Sequence, residues 1–193
     1  MKTFDFFKQV EPLTADELRK HQGGQDCEPS VYVTTYAKYN NGGFGQWIDL
    51  TTFTYYYDFE NYCKRLHADE DDPEFMVQDF ENFPECWYQE DGLPTEEEFD
   101  RIKEYAELDE DDQEAYELYL DNFNDDADLR EFKERYMGKY KDGSDFAEHL
   151  CDEYGYFKDL PDWLQCCIDY SAVWRSLETG GDYSEFNGHI FAR

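Results

Sequence analysis

The stretch Thr95–Phe123 reads TEEEFDRIKEYAELDEDDQEAYELYLDNF, and its apolar and acidic residues recur with the period of an α-helix. Thr95 and Glu98 form a capping box, which predicts a helix that ends near Leu108. Its apolar face carries Phe99, Ile102 and Ala106. A second helix is predicted from about Asp112 to Phe123, with Tyr116, Tyr119, Leu120 and Phe123 on one side.

A row of acidic residues lies opposite each apolar face. The rows are Glu97, Asp100, Glu104 and Glu107 on the first helix, and Glu110, Glu114, Glu117 and Asp121 around the second. A solvated helix face usually mixes charges, because like charges one turn apart cost a few tenths of a kcal/mol per pair. The rows therefore indicate a function for the charge.

The acidity is concentrated around these helices. Residues 58–128 contain 28 acidic and four basic residues, a local net charge of −24 in a chain of net charge −31. Repulsion among so many like charges destabilises the compact state. Residues 1–57 are nearly balanced, with five basic and seven acidic residues, which argues against general halophilic adaptation.

An α+β unit is predicted before the helices, over residues 29–91. Residues 31–36 and 46–50 indicate a hairpin, residues 54–67 a helix and residues 75–80 a further strand. Residues 1–28 form an N-terminal extension, in which Thr14 and Glu17 predict a short capped helix.

A second α+β unit is predicted over residues 135–193. Its first helix is expected to be capped by Ser144, with Phe146, Ala147, Leu150, Cys151 and Tyr154 on its apolar side. Another helix is expected over residues 160–170, and Asn187-Gly188 predicts a closing hairpin. A third short helix, residues 127–134, completes an acidic helical domain over residues 92–134. The predicted fold class is therefore α+β, with two α+β units flanking a small helical bundle.

The composition restricts the function. The chain has no apolar run that spans a bilayer and no signal peptide at its start, so we predict a cytoplasmic protein. A pI near 4.1 disfavours nucleic acid and membranes as partners and favours a basic protein. Aromatic residues make up 19% of the chain, which predicts a folded protein.

No motif for a cofactor, a metal or catalysis is complete. Cys63 and His67 lack a second ligand pair for zinc, and the acidic runs at 69–72 and 109–112 lack the glycine of a calcium loop. We predict no enzyme, no cofactor and no metal site, although a pair of carboxylates acting in an acidic cleft stays an alternative.

Successive helical turns place carboxylates about 6 Å apart, and each DNA strand carries a phosphate about every 3.4 Å of axis. Acidic helices and loops could therefore imitate the charge lattice of DNA. The candidate phosphate-mimicking residues are Asp58, Glu60, Asp69, Glu70, Asp71, Asp72, Glu97, Asp100, Glu104, Glu107, Glu110, Glu114, Glu117, Asp121, Asp125, Asp126, Asp145, Glu148 and Asp152.

Several motifs together resemble one known family. They are Val31-Tyr32-Val33, Lys38-Tyr39-Asn40-Asn41-Gly42 with Trp47, Arg135-Tyr136-Met137-Gly138-Lys139-Tyr140 with Asp145-Phe146-Ala147, Ile168-Asp169-Tyr170-Ser171-Ala172 with Arg175 and Leu177, and Gly188-His189-Ile190-Phe191. In this order, and in so acidic a chain, they resemble the ArdA antirestriction proteins. The chain departs from the family pattern at Val173, Trp174 and Ser176.

The resemblance implies three small domains in an elongated, curved arrangement and a homodimer formed through the C-terminal domain. It also implies mimicry of bent B-form DNA that blocks the DNA-binding cleft of type I restriction-modification enzymes and protects mobile genetic elements. The alternative left open by the residues is an acidic adaptor or chaperone for another basic, nucleic-acid-binding protein.

Overall fold

The computed structural model describes residues 11–24 and 28–193. The chain forms two compact units, the first ending at Leu108 and the second running from Asp109 to Arg193. Each unit contains one three-stranded antiparallel sheet and several helices. The predicted α+β class is confirmed, while the division into three domains in an elongated arrangement stays a prediction.

The first unit is built on a sheet of order β2-β1-β3. Its elements are α1 (Ala15–Lys20), β1 (Ser30–Thr35), α2 (Tyr36–Asn40), β2 (Gln46–Asp49), α3 (Tyr56–Leu66), β3 (Phe75–Glu81) and α4 (Glu96–Ala106). The predicted strands and the helices α1, α3 and α4 are confirmed within a few residues. The short helix α2, in the connection between the hairpin strands, was not predicted.

The core of the first unit lies between one sheet face and two helices. Val31 and Val33 of β1 are fully buried, as are Phe59 of α3 and Phe99 of α4. The rings of Phe59 and Phe99 stack with centroids 5.6 Å apart and an interplanar angle of 19°. This contact fixes the buried face of α4 and so turns its opposite face to solvent.

A β-bulge interrupts the pairing of β1 with β3. Tyr32 pairs with Asp79, whereas the next residue, Val33, pairs with Val77, so Gln78 is the extra residue. Gln78 and Asp79 are both exposed. The bulge therefore places two adjacent polar side chains of β3 on the solvent-exposed face of the sheet.

The helix α1 packs against the rest of the first unit. The predicted capping box of Thr14 and Glu17 is confirmed. The Arg65 guanidinium makes two hydrogen bonds to the Glu17 carboxylate, at 2.7 and 3.0 Å. These bonds, followed by the one from the Thr14 backbone, lower the pKa of Glu17 to about 2.

The second unit is built on a sheet of order β4-β6-β5. Its elements are α5 (Glu110–Asn122), α6 (Leu129–Arg135), β4 (Tyr136–Lys139), α7 (Gly143–Tyr154), α8 (Asp162–Gln165), α9 (Tyr170–Gly180), β5 (Tyr183–Phe186) and β6 (His189–Ala192). The predicted closing hairpin is confirmed. Its turn places Asn187 at φ 52° and Gly188 at φ 83°, as a type I′ turn requires.

Aromatic contacts join α5 and α6 to the sheet of the second unit. Phe132 of α6 stacks on Tyr116 of α5, with centroids 4.9 Å apart, and on Tyr136 of β4, with centroids 5.1 Å apart. Tyr119 of α5 meets Phe191 of β6 at 5.8 Å. The helix α4 lies in the first compact unit, and α5 and α6 lie in the second.

Three predictions in the second unit are wrong. Asp142, not Ser144, caps α7, since its carboxylate accepts the backbone N–H of Ser144 and Asp145. Tyr154, expected on the apolar side of α7, is 63% exposed. The helix expected over residues 160–170 is only the short α8.

The helix α9 was not predicted. It begins after its cap Asp169 and is terminated by Gly181, the next residue after the helix, which adopts the left-handed conformation. Trp174 is buried in a core with Phe146, Leu150 and Ile190. A Cβ on Gly143 would lie 2.2 Å from the Trp174 ring, so the glycine at the start of α7 makes room for the indole.

No helix in residues 11–24 and 28–193 has the length and apolar character needed to span a bilayer.

Candidate acidic interface

The row on α4 is fully presented to solvent. Glu97, Asp100, Glu104 and Glu107 are exposed, whereas Phe99 and Ile102 on the opposite face are at most 1% exposed. The Arg101 guanidinium lies 4.0 Å from Glu97, at the limit of an ion pair. This helix therefore presents the acidic face that its periodicity predicts.

The row on α5 is not uniform. Glu110, Glu117 and Asp121 are exposed, but Glu114 is half-buried. Its carboxylate lies 3.3 Å from His189 Nε2 and 3.2 Å from Lys139 Nζ. The hydrogen bond with His189, and then that with Lys139, hold the pKa of Glu114 below its ordinary value.

This arrangement around Glu114 was missed by the sequence analysis. His189 is fully buried on β6 and its other ring nitrogen is 2.8 Å from the Tyr136 hydroxyl. Lys139 also binds Asp111 at 2.5 Å, and that hydrogen bond lowers the pKa of Asp111. Periodicity along α5 cannot reveal partners that come from strands further along the chain.

Some acidic residues have a structural role. Glu98, Asp109, Asp128 and Asp142 each take part in capping the start of a helix. Carboxylates there satisfy backbone N–H groups and oppose the positive end of the helix dipole. These capping carboxylates therefore stabilise the helices on which the exposed acidic rows lie.

The acidic loop after α3 contains both paired and unshielded carboxylates. Lys38 Nζ lies 2.8 Å from Asp69 Oδ1 and 3.8 Å from Glu70 Oε1, while Asp71 and Asp72 are exposed. On α3, Asp58 is exposed and Glu60 pairs with Lys64 at 2.7 Å. Lysine side chains thus offset the negative charge of three candidate residues in this region, Asp69, Glu70 and Glu60.

Among the described residues, one group has ligand atoms close enough for a metal ion: His67, Asp69 and Glu70, within 4.8 Å of one another. Lys38 Nζ lies 2.9 Å from His67 Nδ1 and also contacts both carboxylates. Burial, and then Lys38, lower the pKa of His67 to about 4. The ammonium group therefore already supplies the cation that this cluster holds.

The remaining candidates lie in the second unit. Asp145, Glu148 and Asp152 are exposed on α7, opposite the buried Phe146 and Leu150. Their spacing of three and four residues puts them on one face, a further acidic row. Asp125 and Asp126 are exposed in the connection between α5 and α6.

The geometry defines a class of protein: a small α+β protein whose helices present acidic rows to solvent. The family comparison is more specific. The family model described as antirestriction protein (ArdA) matches residues 31–191, so this chain belongs to the ArdA antirestriction family. No curated protein matches the sequence.

Proposed function

We propose that this protein inhibits type I restriction-modification enzymes by imitating B-form DNA, without catalysing a reaction. Its exposed carboxylates take the place of phosphates and occupy the DNA-binding cleft of the enzyme. The observation that carries this proposal is the face of α4, on which Glu97, Asp100, Glu104 and Glu107 are all exposed.

A row of carboxylates on a helix face can meet the basic side chains of a cleft built for DNA. Residues three or four apart on a helix differ in axial position by about 4.5–6 Å, while phosphates on one strand follow at about 3.4 Å. Lysine and arginine side chains that reach for phosphates can then reach for carboxylates instead. Many small charge contacts make the affinity cumulative and sensitive to salt.

The first experiment is cleavage of unmodified DNA by a purified type I restriction enzyme, titrated with this protein at two salt concentrations. We expect inhibition at stoichiometric amounts that weakens as salt rises. A failure to inhibit several such enzymes would overturn the proposal and favour an acidic adaptor for another basic protein.

A pair of matched variants separates geometry from net charge. The stripe variant carries Glu97→Gln, Asp100→Asn, Glu104→Gln and Glu107→Gln. The control removes the same number of exposed charges elsewhere, through Asp159→Asn, Asp162→Asn, Glu178→Gln and Asp182→Asn. We expect a marked loss of inhibition only in the stripe variant. Equal losses would mean that net charge alone matters.

The proposal includes a homodimer formed through residues 135–193, a three-domain elongated arrangement, and action in the cytoplasm on behalf of a mobile genetic element. Of the residues on α9 that depart from the family pattern, Trp174 is buried in the core and Ser176 is exposed. Sedimentation equilibrium tests the dimer, and small-angle scattering tests the elongated shape. A compact monomer at micromolar concentration would contradict both.

A further inference from the structure

The outer face of the first sheet carries a row of three side chains that belongs to none of the acidic rows. Tyr32 on the central strand pairs with Trp47 of β2 on one side and with Asp79 of β3 on the other. Directly paired residues share a face of a sheet. The Tyr32 and Trp47 rings meet edge to face, with centroids 5.6 Å apart.

Two further aromatic side chains flank this row. Tyr39 on α2 is 53% exposed, and Phe44 in the following loop is 86% exposed. The loop is tied down because the backbone N–H of Gly45 donates to the Tyr32 hydroxyl at 2.9 Å. Together these residues line an open groove of about 440 Å³, which we call the aromatic groove; it is lined by Tyr32, Tyr39, Gly42, Gly43, Phe44, Trp47, Gln78 and Asp79.

Asp79 is the one carboxylate among the described residues that line the aromatic groove, and its charge is available to a ligand. Asp79 accepts a hydrogen bond from the Phe80 backbone N–H at 2.9 Å. No lysine or arginine in the described ranges lies within 4.0 Å of it. Lys38, the neighbour of Tyr39 on α2, directs its ammonium to Asp69 and His67.

Aromatic faces beside a carboxylate favour a cation. The ring faces attract it and the carboxylate pairs with it. Arginine suits such a groove better than lysine, because its planar guanidinium stacks on rings while it donates two parallel hydrogen bonds to a carboxylate. A net charge of −31 repels phosphates, which disfavours the stacking of nucleic acid bases on the same rings.

We propose that the aromatic groove binds an arginine side chain presented by a protein partner. It thereby adds a directional contact to the diffuse charge attraction of the acidic rows. The inference rests on the proposed function only for the identity of the partner that presents the arginine.

The direct test is an NMR titration of the whole protein with a capped Gly-Arg-Gly peptide. The citrulline peptide, similar in shape but uncharged, and the lysine peptide serve as comparisons. We expect saturable shifts of the Trp47 indole N–H and of the amides of residues 42–45 with arginine, weaker shifts with lysine and none with citrulline. The Trp47 signal is assigned with a Trp47→Phe variant.

Matched variants localise the binding. We expect Phe44→Ala to weaken it by about two- to fivefold, the range for an exposed cation–π contact, and Asp79→Asn by about five- to tenfold, because a charge-assisted pair is lost. The controls are Tyr57→Ala and Asp16→Asn, which change exposed side chains outside the groove. They should leave the binding unchanged.

Equal shifts with arginine and citrulline would overturn the inference, and so would saturable shifts with oligo-dT but not with arginine, which would assign the groove to nucleobases. If the protein inhibits restriction but does not bind arginine, only the proposal for the groove is refuted. Arginine binding without inhibition of any type I enzyme refutes only the proposed function.

Discussion

The helices α4 and α5 carry the same acidic pattern, yet the structure treats them differently. On α4, all four carboxylates of the row are exposed. On α5, Glu114 is held by Lys139 and His189, which come from β4 and β6. A periodic pattern therefore predicts which way a helix faces, whereas the partners packed against it decide which of its charges stay available.

The largest expected effect is on stability, through the buried packing that holds α4 and its acidic row in place. Phe99→Ala removes a fully buried ring that stacks on Phe59, and we expect a loss of about 3–5 kcal/mol in the free energy of unfolding. Urea denaturation measures the loss. Phe44→Ala removes a ring of the same type that is 86% exposed, so a comparable loss there would contradict burial as the cause.

The next effect concerns the support of Glu114 on α5. His189→Gln disturbs a fully buried side chain that contacts the Tyr136 hydroxyl at 2.8 Å, and we expect a loss of about 1–3 kcal/mol from poorly satisfied buried groups. The pKa of Glu114 should rise toward its ordinary value in this variant, as measured by carbon-detected NMR titration. An unchanged pKa of Glu114 would show that His189 does not hold its carboxylate.

A smaller effect should make α5 resemble α4. Lys139→Met removes the cation shared by Asp111 and Glu114, so the pKa of both carboxyls should rise. A carboxyl whose pKa is lower in the folded than in the unfolded chain stabilises the fold above its unfolded-state pKa. This stabilisation is lost as the pH falls through the folded-state pKa. The variant, which lacks it, should therefore lose stability less steeply below about pH 4.5.

The same variant should inhibit a type I restriction enzyme slightly better than the parent chain, by less than about tenfold, because Asp111 becomes available to the enzyme and Glu114 loses one of its two partners. Titration of the cleavage reaction measures this gain. Weaker inhibition by a stably folded Lys139→Met protein would mean that the paired arrangement itself is recognised.

The smallest effect is that of one exposed acid. Glu104→Gln should weaken inhibition by about twofold and leave the unfolding midpoint unchanged, since a lattice of many contacts loses little when one is removed. Abolition of inhibition by this single change would contradict the cumulative model. The cleavage titration, with thermal unfolding as a control for folding, decides the matter.

Short sequence patterns predicted the features that depend on residues close together in the chain. The capping box of Thr95 and Glu98 and the turn at Asn187-Gly188 follow from neighbouring residues, and the structure confirms them. On α4, the predicted Phe99 and Ile102 are buried, but Ala106 is only half-buried and the third buried residue is Tyr105. The cap of α7 was assigned to the wrong residue, because Asp142 and Ser144 both suit that position and only the path of the backbone selects between them.

The helix α9 shows a pattern that was present but not used. Tyr170, Val173, Trp174 and Leu177 recur at helical spacing after the capping residue Asp169. Other features required tertiary structure. The pairing of Glu114 with His189 joins residues 75 positions apart, and the bulge that brings Asp79 beside Tyr32 depends on the register of β3.

The acidic caps divide the carboxylates into two groups with different evolutionary freedom. At Asp109, Asp128 and Asp142 a short side chain must reach backbone N–H groups two or three residues ahead, so drift there is limited to other short acceptors such as asparagine and serine. On the exposed rows, aspartate and glutamate can replace each other and shift by a turn while the field is kept. Related sequences should therefore keep their helix starts and vary their acidic surface.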